Sequence, residues 1–252
     1  MSQWNDNNGV GQFTFAERSV GSRIEIRPLM RLVYIWMMFG LLTTGVISFA
    51  LSSWIGTNPA QNFQTVNALV LPIFIAQIGI VIGISWGMNR LAPAVAGFLF
   101  FVYSALMGVT LGVLFFAYIA TGQSMAIAQA FFTTAGLFGV MTVVGYTTKV
   151  DLTKYSTYFG MALIGLVIAM VVNFFLGSGM LELIISVVGV ILFTALTAYD
   201  TQKIKNLSMQ PEMQSHSDSM ARLAIFGALT LYLDFINLFL FLLRLFGGGG
   251  RD

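Results

Sequence analysis

The sequence predicts an all-α integral membrane protein, a bundle of seven transmembrane helices. Three observations predict it. Of 252 residues, 57% are apolar and only 9% charged, with a mean hydropathy of +0.85. A soluble domain carries about 25% charge, and a globule of this size could not cover its core with what is present. Second, no Asp, Glu, Lys or Arg occurs from Leu32 to Asn89 or from Leu91 to Thr148. Each run is 58 residues long, and a bilayer-crossing helix needs about 20, so each holds two spans and a turn. Third, the basic residues fall in every second loop and are absent from the first, third and fifth, as in a multi-pass protein.

Turn residues divide the chain into apolar segments at 32–54, 69–88, 93–118, 125–146, 156–176, 182–203 and 223–246. The first follows a polar tail, residues 1–31, with Arg18, Arg23, Arg27 and Arg31. That tail lacks the short apolar stretch and small-residue cleavage site of a signal peptide, so the first segment reads as an uncleaved span. Gly56-Thr57-Asn58-Pro59 closes the first span, and Asn89-Arg90-Leu91-Ala92-Pro93 separates the second from the third. Thr121-Gly122-Gln123-Ser124 separates the third from the fourth, and Gly177-Ser178-Gly179 the fifth from the sixth. Residues 32–246 form the membrane domain, and the glycine run at 247–252 reads as a flexible tail.

Within these segments a β-barrel is excluded, because Ala162–Phe175 and Leu181–Phe193 are continuous apolar runs rather than alternating strands. Gly79, Gly83 and Gly87 in the second span, and Gly108 and Gly112 in the third, recur every four residues and are expected at close helix contacts.

Ten of the twelve basic residues fall on one side: the four tail arginines, Arg90, Lys149, Lys154, Lys203, Lys205 and Arg222. By the positive-inside rule the N-terminus is cytoplasmic, and seven spans put the C-terminus outside. Basic residues confined to loops do not make a nucleic-acid surface, so the partners are the lipid bilayer and small ions. With no cysteine and a single histidine, His216, in a polar loop, thiolate chemistry and histidine-rich metal sites are excluded. Neither a phosphate-binding glycine loop nor a lysine in the seventh span is present. The chain is therefore expected not to be an enzyme and to hold no tight cofactor.

Two acids depart from this pattern. Asp234 lies mid-span in Leu231-Tyr232-Leu233-Asp234-Phe235-Ile236-Asn237, and Asp200 near the end of the sixth span in Ala198-Tyr199-Asp200-Thr201-Gln202-Lys203. An acid at a helix centre costs about 2.5–3.5 kcal/mol to insert and normally serves the bundle interior. Asn237 is expected to share the face of Asp234, and Thr197 that of Asp200. If the two faces meet, the carboxyls form a pair that shares a proton, since two close carboxylates in low dielectric do not both ionise. Such oxygens also suit a hard cation, so transient calcium contact at Asp234 and Asp200 is expected. Counting from the apolar ends puts Asp200 about 5 Å and Asp234 about 16 Å deep. The residues thus leave open a second reading, in which Asp200 is a water-exposed helix end paired with Lys203 and Asp234 a structural hydrogen-bonder. An intramembrane aspartyl protease is disfavoured: its second motif needs Gly-x-Gly-Asp, and Leu231-Tyr232-Leu233-Asp234 stands there.

Three stretches resemble the Bax inhibitor-one family, in its bacterial inner-membrane branch. They are Leu196-Thr197-Ala198-Tyr199-Asp200-Thr201-Gln202-Lys203, Gly227-Ala228-Leu229-Thr230-Leu231-Tyr232-Leu233-Asp234-Phe235-Ile236-Asn237, and Gly145-Tyr146-Thr147-Thr148-Lys149-Val150-Asp151-Leu152. The resemblance implies a bundle whose C-terminal helix is central, wrapped by the other six. It also implies that Asp200 and Asp234 are a hydrogen-bonded pH sensor, and that the activity is a passive, pH-sensitive calcium leak with calcium as the permeant ion. Relatives with a Glu in the second span and an Arg latch at its end have their counterparts here at Gln77 and Met88, with Arg90 two residues on. Gln77, Thr197, Arg90 and Asn237 are accordingly candidate pathway or latch residues. The alternative function is a non-conducting interaction protein that modulates membrane-protein quality control or stress response through a membrane protease or chaperone partner.

Overall fold

The structure is a computed structural model that describes residues 26–87, 90–209 and 217–248. These residues form seven long helices: α1 (Ile26–Thr57), α2 (Pro59–Gly87), α3 (Pro93–Ala120), α4 (Ser124–Thr147), α5 (Ser156–Leu176), α6 (Gly179–Ser208) and α7 (Ser217–Gly248). All seven are long and apolar enough to cross a membrane. A 3-10 turn, Leu152–Tyr155, precedes α5.

The turns follow the chain's punctuation. Gly122 and Gly177 carry positive φ angles of 75° and 62°, which a side chain would disfavour, and each ends a helix. Ser178 accepts a hydrogen bond from Leu181 N at 3.3 Å and starts α6, with Glu182 in its first turn where the helix dipole favours an acid. The main departure from expectation is α2, which starts at Pro59 instead of residue 69. Pro59 is suited to a first helical turn, and Gln61, Asn62, Gln64 and Asn67 continue the helix as polar turns that hydropathy cannot see. Likewise α1 begins at Ile26 within the predicted tail, and α6 runs past Lys203 and Lys205 to Ser208.

The last helix is the interior of the molecule. In the most apolar stretch of α7, 72% of residues are buried, against 6–33% in the other spans. Leu223, Ala224, Ala228, Leu229, Leu231, Tyr232, Leu238 and Leu243 are essentially inaccessible. Four helices, α1, α3, α4 and α6, pack directly on it, while α2 packs on α3 and α1, and α5 on α6. The expected wrapping by all six is thus a ring of four with two helices outside. Trp86, Phe174 and Phe175, on those outer helices, are over 80% exposed. A lipid-facing surface accounts for this, because acyl chains are as apolar as the side chains themselves.

Small residues set the closest approaches. At Gly108 an added Cβ would meet Ile47 and Thr44 O, and at Gly112 Leu51 and Ser48 O, so α1 and α3 touch along these glycines as expected. Gly79 and Gly83 have nothing within 4 Å. Their four-residue spacing therefore does not mark a helix contact within this chain, because α2 lies at the rim and turns that face outward.

Candidate functional site

Residues 196–202 of α6 are all buried, which a helix achieves only when neighbours enclose its whole circumference. One neighbour is α4: Gly145 brings its backbone onto Ala198, where any side chain would collide. Another is the connection between α4 and α5. Gln202 Nε2 donates to Val150 O at 2.8 Å, and its Oε1 accepts from Leu152 N at 2.7 Å. Lys205 Nζ donates to Tyr146 O at 2.8 Å and lies over that ring. The resembling segment 145–152 thus straps across α6 just beyond Asp200.

On the opposite side α6 meets α7, and here the two acids come together. Asp200 is 8% and Asp234 5% exposed, and their carboxyl groups face each other closely enough to interact. Two carboxyls enclosed side by side do not readily both ionise, so the arrangement favours a proton held between them. The second oxygen of Asp234, Oδ2, is sealed from solvent with no partner of good geometry. Lys203 is the cation whose field reaches both acids. It lies 5.7 Å from the centre of the Tyr199 ring. The water-exposed reading of Asp200 is overturned, because α6 continues two turns beyond it. Depth counted from apolar ends misled for the same reason: neither helix ends where its hydropathy does.

The other candidates lie elsewhere. Thr197 is fully buried, with its hydroxyl donating to Phe193 O at 2.8 Å. Asn237 does not join the pair. Its amide donates to Leu233 O at 2.9 Å, and it lines a cavity of about 340 Å³ between α2, α3 and α7, together with Gln77, Thr110 and Tyr103. Gln77 is 4% exposed and donates to Thr110 Oγ1 at 3.2 Å. Three residues turn a helix by about 300°, enough to move Asn237 to the adjoining face. Arg90 is exposed. Met88 and His216 lie outside the described residues. Glu182 lines a cavity of about 480 Å³ at the other end, with Arg244, Tyr118 and Ser186.

Sequence reasoning missed a polar knot in the centre. Tyr232 and Thr44 share a hydrogen bond of 2.7 Å, and Thr44 Oγ1 lies 2.8 Å from Ser104 O. The signal was present in Gly40, Thr44 and Ser48, small residues four apart on α1 opposite Gly108 and Gly112. Among the described residues no three His, Cys, Asp or Glu side chains converge, so any cation at the acid pair takes most of its oxygen ligands from water or backbone.

The same chain regions carry its relationships. The family model described as inhibitor of apoptosis-promoting Bax1 matches residues 26–251. The chain is 42% identical over 241 residues to the inner membrane protein YbhL of Escherichia coli, covering 94% of this chain and 99% of the relative. It is 42% identical over 228 residues to a protein of Deinococcus radiodurans, covering 90% and 93%, and 36% identical over 250 residues to YrjE of Lactococcus lactis, covering 98% and 100%. With seven membrane-crossing helices and a match across nearly its whole length, the chain belongs to the Bax inhibitor-one family, in its bacterial branch.

Proposed function

We propose that this protein is a pH-sensitive calcium leak of the bacterial inner membrane, gated by the Asp200–Asp234 pair. The observation that supports this reading is the pairing itself. The two span-buried acids face each other at the junction of α6 with the most buried helix, and one oxygen of Asp234 is left without a partner. A shared proton holds α7 against α6. Its loss leaves two like charges in a poorly solvated place, and repulsion shifts the balance toward an arrangement that separates and hydrates them. Asp234 is then the cation contact, with the cavity beside Gln77 and Asn237 as the candidate continuation of the path. Inner-membrane residence is supported by the name of the Escherichia coli relative, and the bias of basic residues toward one side supports a cytoplasmic N-terminus.

Calcium flux into liposomes across about pH 6 to 8 tests the proposal, because a proton-gated path must respond within the range where a perturbed carboxyl titrates. Wild type should conduct with a pH dependence that Asp234→Asn abolishes. An unchanged, pH-dependent flux in that variant rules the gate out. A wild type that passes no cation, together with a protease or chaperone recovered by crosslinking in native membranes, would favour the non-conducting interaction protein.

A further inference from the structure

Three hydroxyls meet inside the basic end of the bundle, one each from α1, α4 and α6. Tyr34 Oη, Thr142 Oγ1 and Thr201 Oγ1 are each sealed from bulk solvent without a protein partner of good hydrogen-bond geometry. Both threonine hydroxyls nevertheless face the tyrosine hydroxyl closely enough to interact with it. Threonines in these helices usually satisfy themselves on the carbonyl one turn back. Thr44, Thr134, Thr197 and Thr230 all do so, at 2.7–3.0 Å. Thr142 and Thr201 forgo that bond and turn toward Tyr34. Thr201 is also completely buried and directly follows Asp200.

A buried hydroxyl offers one donor and two acceptor positions, and leaving them unmet is unfavourable. Three such groups facing one another, none well aligned to bond to the next, offer the two to four partners that an internal water requires. We infer that Tyr34, Thr142 and Thr201 bind water within the bundle, and that this hydrated cluster carries protons to the Asp200–Asp234 pair. In each step a hydroxyl accepts a proton on its lone pair and releases its own to the next oxygen, so only the proton is displaced. At this end of the bundle the charged and titratable groups on the surrounding elements include Arg31 from α1, Tyr146 from α4, and Tyr199, Asp200, Lys203 and Lys205 from α6. From α7 they are Asp234 and Arg222. Tyr34 is the relay's central residue, since it alone faces both threonines.

The transfer part rests on the reading of the pair as a proton site; the hydration part does not. Radiolytic labelling in 18O water, with the protein in lipid nanodiscs, tests hydration. Tyr34 should acquire label from adjacent bound water, while Tyr232, which is fully buried and bonded to Thr44, serves as the dry comparison. Tyr34 as unreactive as Tyr232 overturns the water site. Transfer is read from the infrared band of the protonated carboxyl after a jump into D2O. Tyr34→Phe and Thr201→Val should slow its exchange about tenfold, equivalent to roughly 1.4 kcal/mol of barrier, with Thr201→Ser restoring the rate. Should Tyr34→Phe fail to fold, the two Thr201 variants decide alone. A carboxyl band that exchanges at the wild-type rate in the variants overturns the relay and leaves the pair standing. No carboxyl band at any pH overturns the relay and the proton-sharing pair together.

Discussion

The hydroxyl of Tyr232 lies 2.7 Å from that of Thr44, joining the central helix to α1 through a bond buried from both membrane surfaces. Phe100 and Tyr103 of α3 stand edge-on to the Tyr232 ring at 5.7 and 5.8 Å, so three helices converge on one side chain. Hydrogen bonds between membrane helices contribute about 0.6–1.7 kcal/mol, because the competing state also finds partners. Tyr232→Phe should therefore destabilise the bundle by about that amount in an unfolding titration in bicelles. Tyr232→Ala also removes the ring from a fully enclosed place and should cost about 3–5 kcal/mol. Equal effects for the two variants would show that the hydroxyl, and not the packed ring, dominates.

The glycines give a second contrast. Gly145 and Gly79 look alike as small residues in apolar spans, but Gly145 abuts the backbone of Ala198 and Gly79 faces open space. Backbone cannot move aside as a side-chain tip can. Gly145→Ala should lower stability by about 1–3 kcal/mol. Gly79→Ala should be neutral, or stabilising by up to about 1 kcal/mol through helix propensity. Thermal unfolding of the two variants checks the ranking, and a Gly79 variant as damaged as the Gly145 one would contradict the packing described.

What could be read from the chain beforehand follows from what carries a strong local signal. Charge-free runs located the first four helices and apolar runs between turn residues the other three, and the breaks at Gly122 and Gly177 were legible because their residues are turn formers. Asp200 and Asp234 stood out because acids are rare in spans. Their contact followed only from the family resemblance, because depth counted from apolar ends set them apart and the apolar ends of α6 and α7 are not their structural ends. The face taken by Asn237 and the outward turn of Gly79 depend on helix rotation, which hydropathy does not encode. Tyr34, Thr142 and Thr201 were invisible for another reason: hydroxyls are common in membrane helices, and only the direction in which they point separates the cluster from self-satisfied threonines.

Outside the membrane, Asp151 caps the 3-10 turn that leads into α5. Its carboxylate accepts from the side chain and backbone N of Thr153, and Lys154 lies nearby. The Thr153 hydroxyl, then its backbone amide and the Lys154 charge, hold this carboxyl below its ordinary value. A depressed native value means that the cap is fully formed at neutral pH and is lost as pH falls through that value, below the ordinary carboxylate range of about 4. Amide exchange at Thr153, corrected for the intrinsic pH effect, should stay protected at pH 7 and lose protection under acid. Asp151→Asn should show no such step; a step that persists would assign the transition to another group.

Gln202 ties that same connection to α6 with both ends of its amide, accepting from Leu152 N at 2.7 Å and donating to Val150 O at 2.8 Å. Only a side chain with a donor and an acceptor on one carbon can hold both groups. Gln202→Leu should release the strap and raise amide exchange at Leu152 about tenfold, the equivalent of one lost hydrogen bond of roughly 1.4 kcal/mol. Gln202→Glu keeps the acceptor and loses the donor, so Leu152 should remain protected while Val150 O goes unpaired and cleavage by protease within 149–152 becomes faster. The two variants thus separate a clamp that acts through two specific bonds from a side chain that merely fills space. If leucine, of similar bulk, leaves Leu152 as protected as in wild type, the strap is held by packing alone.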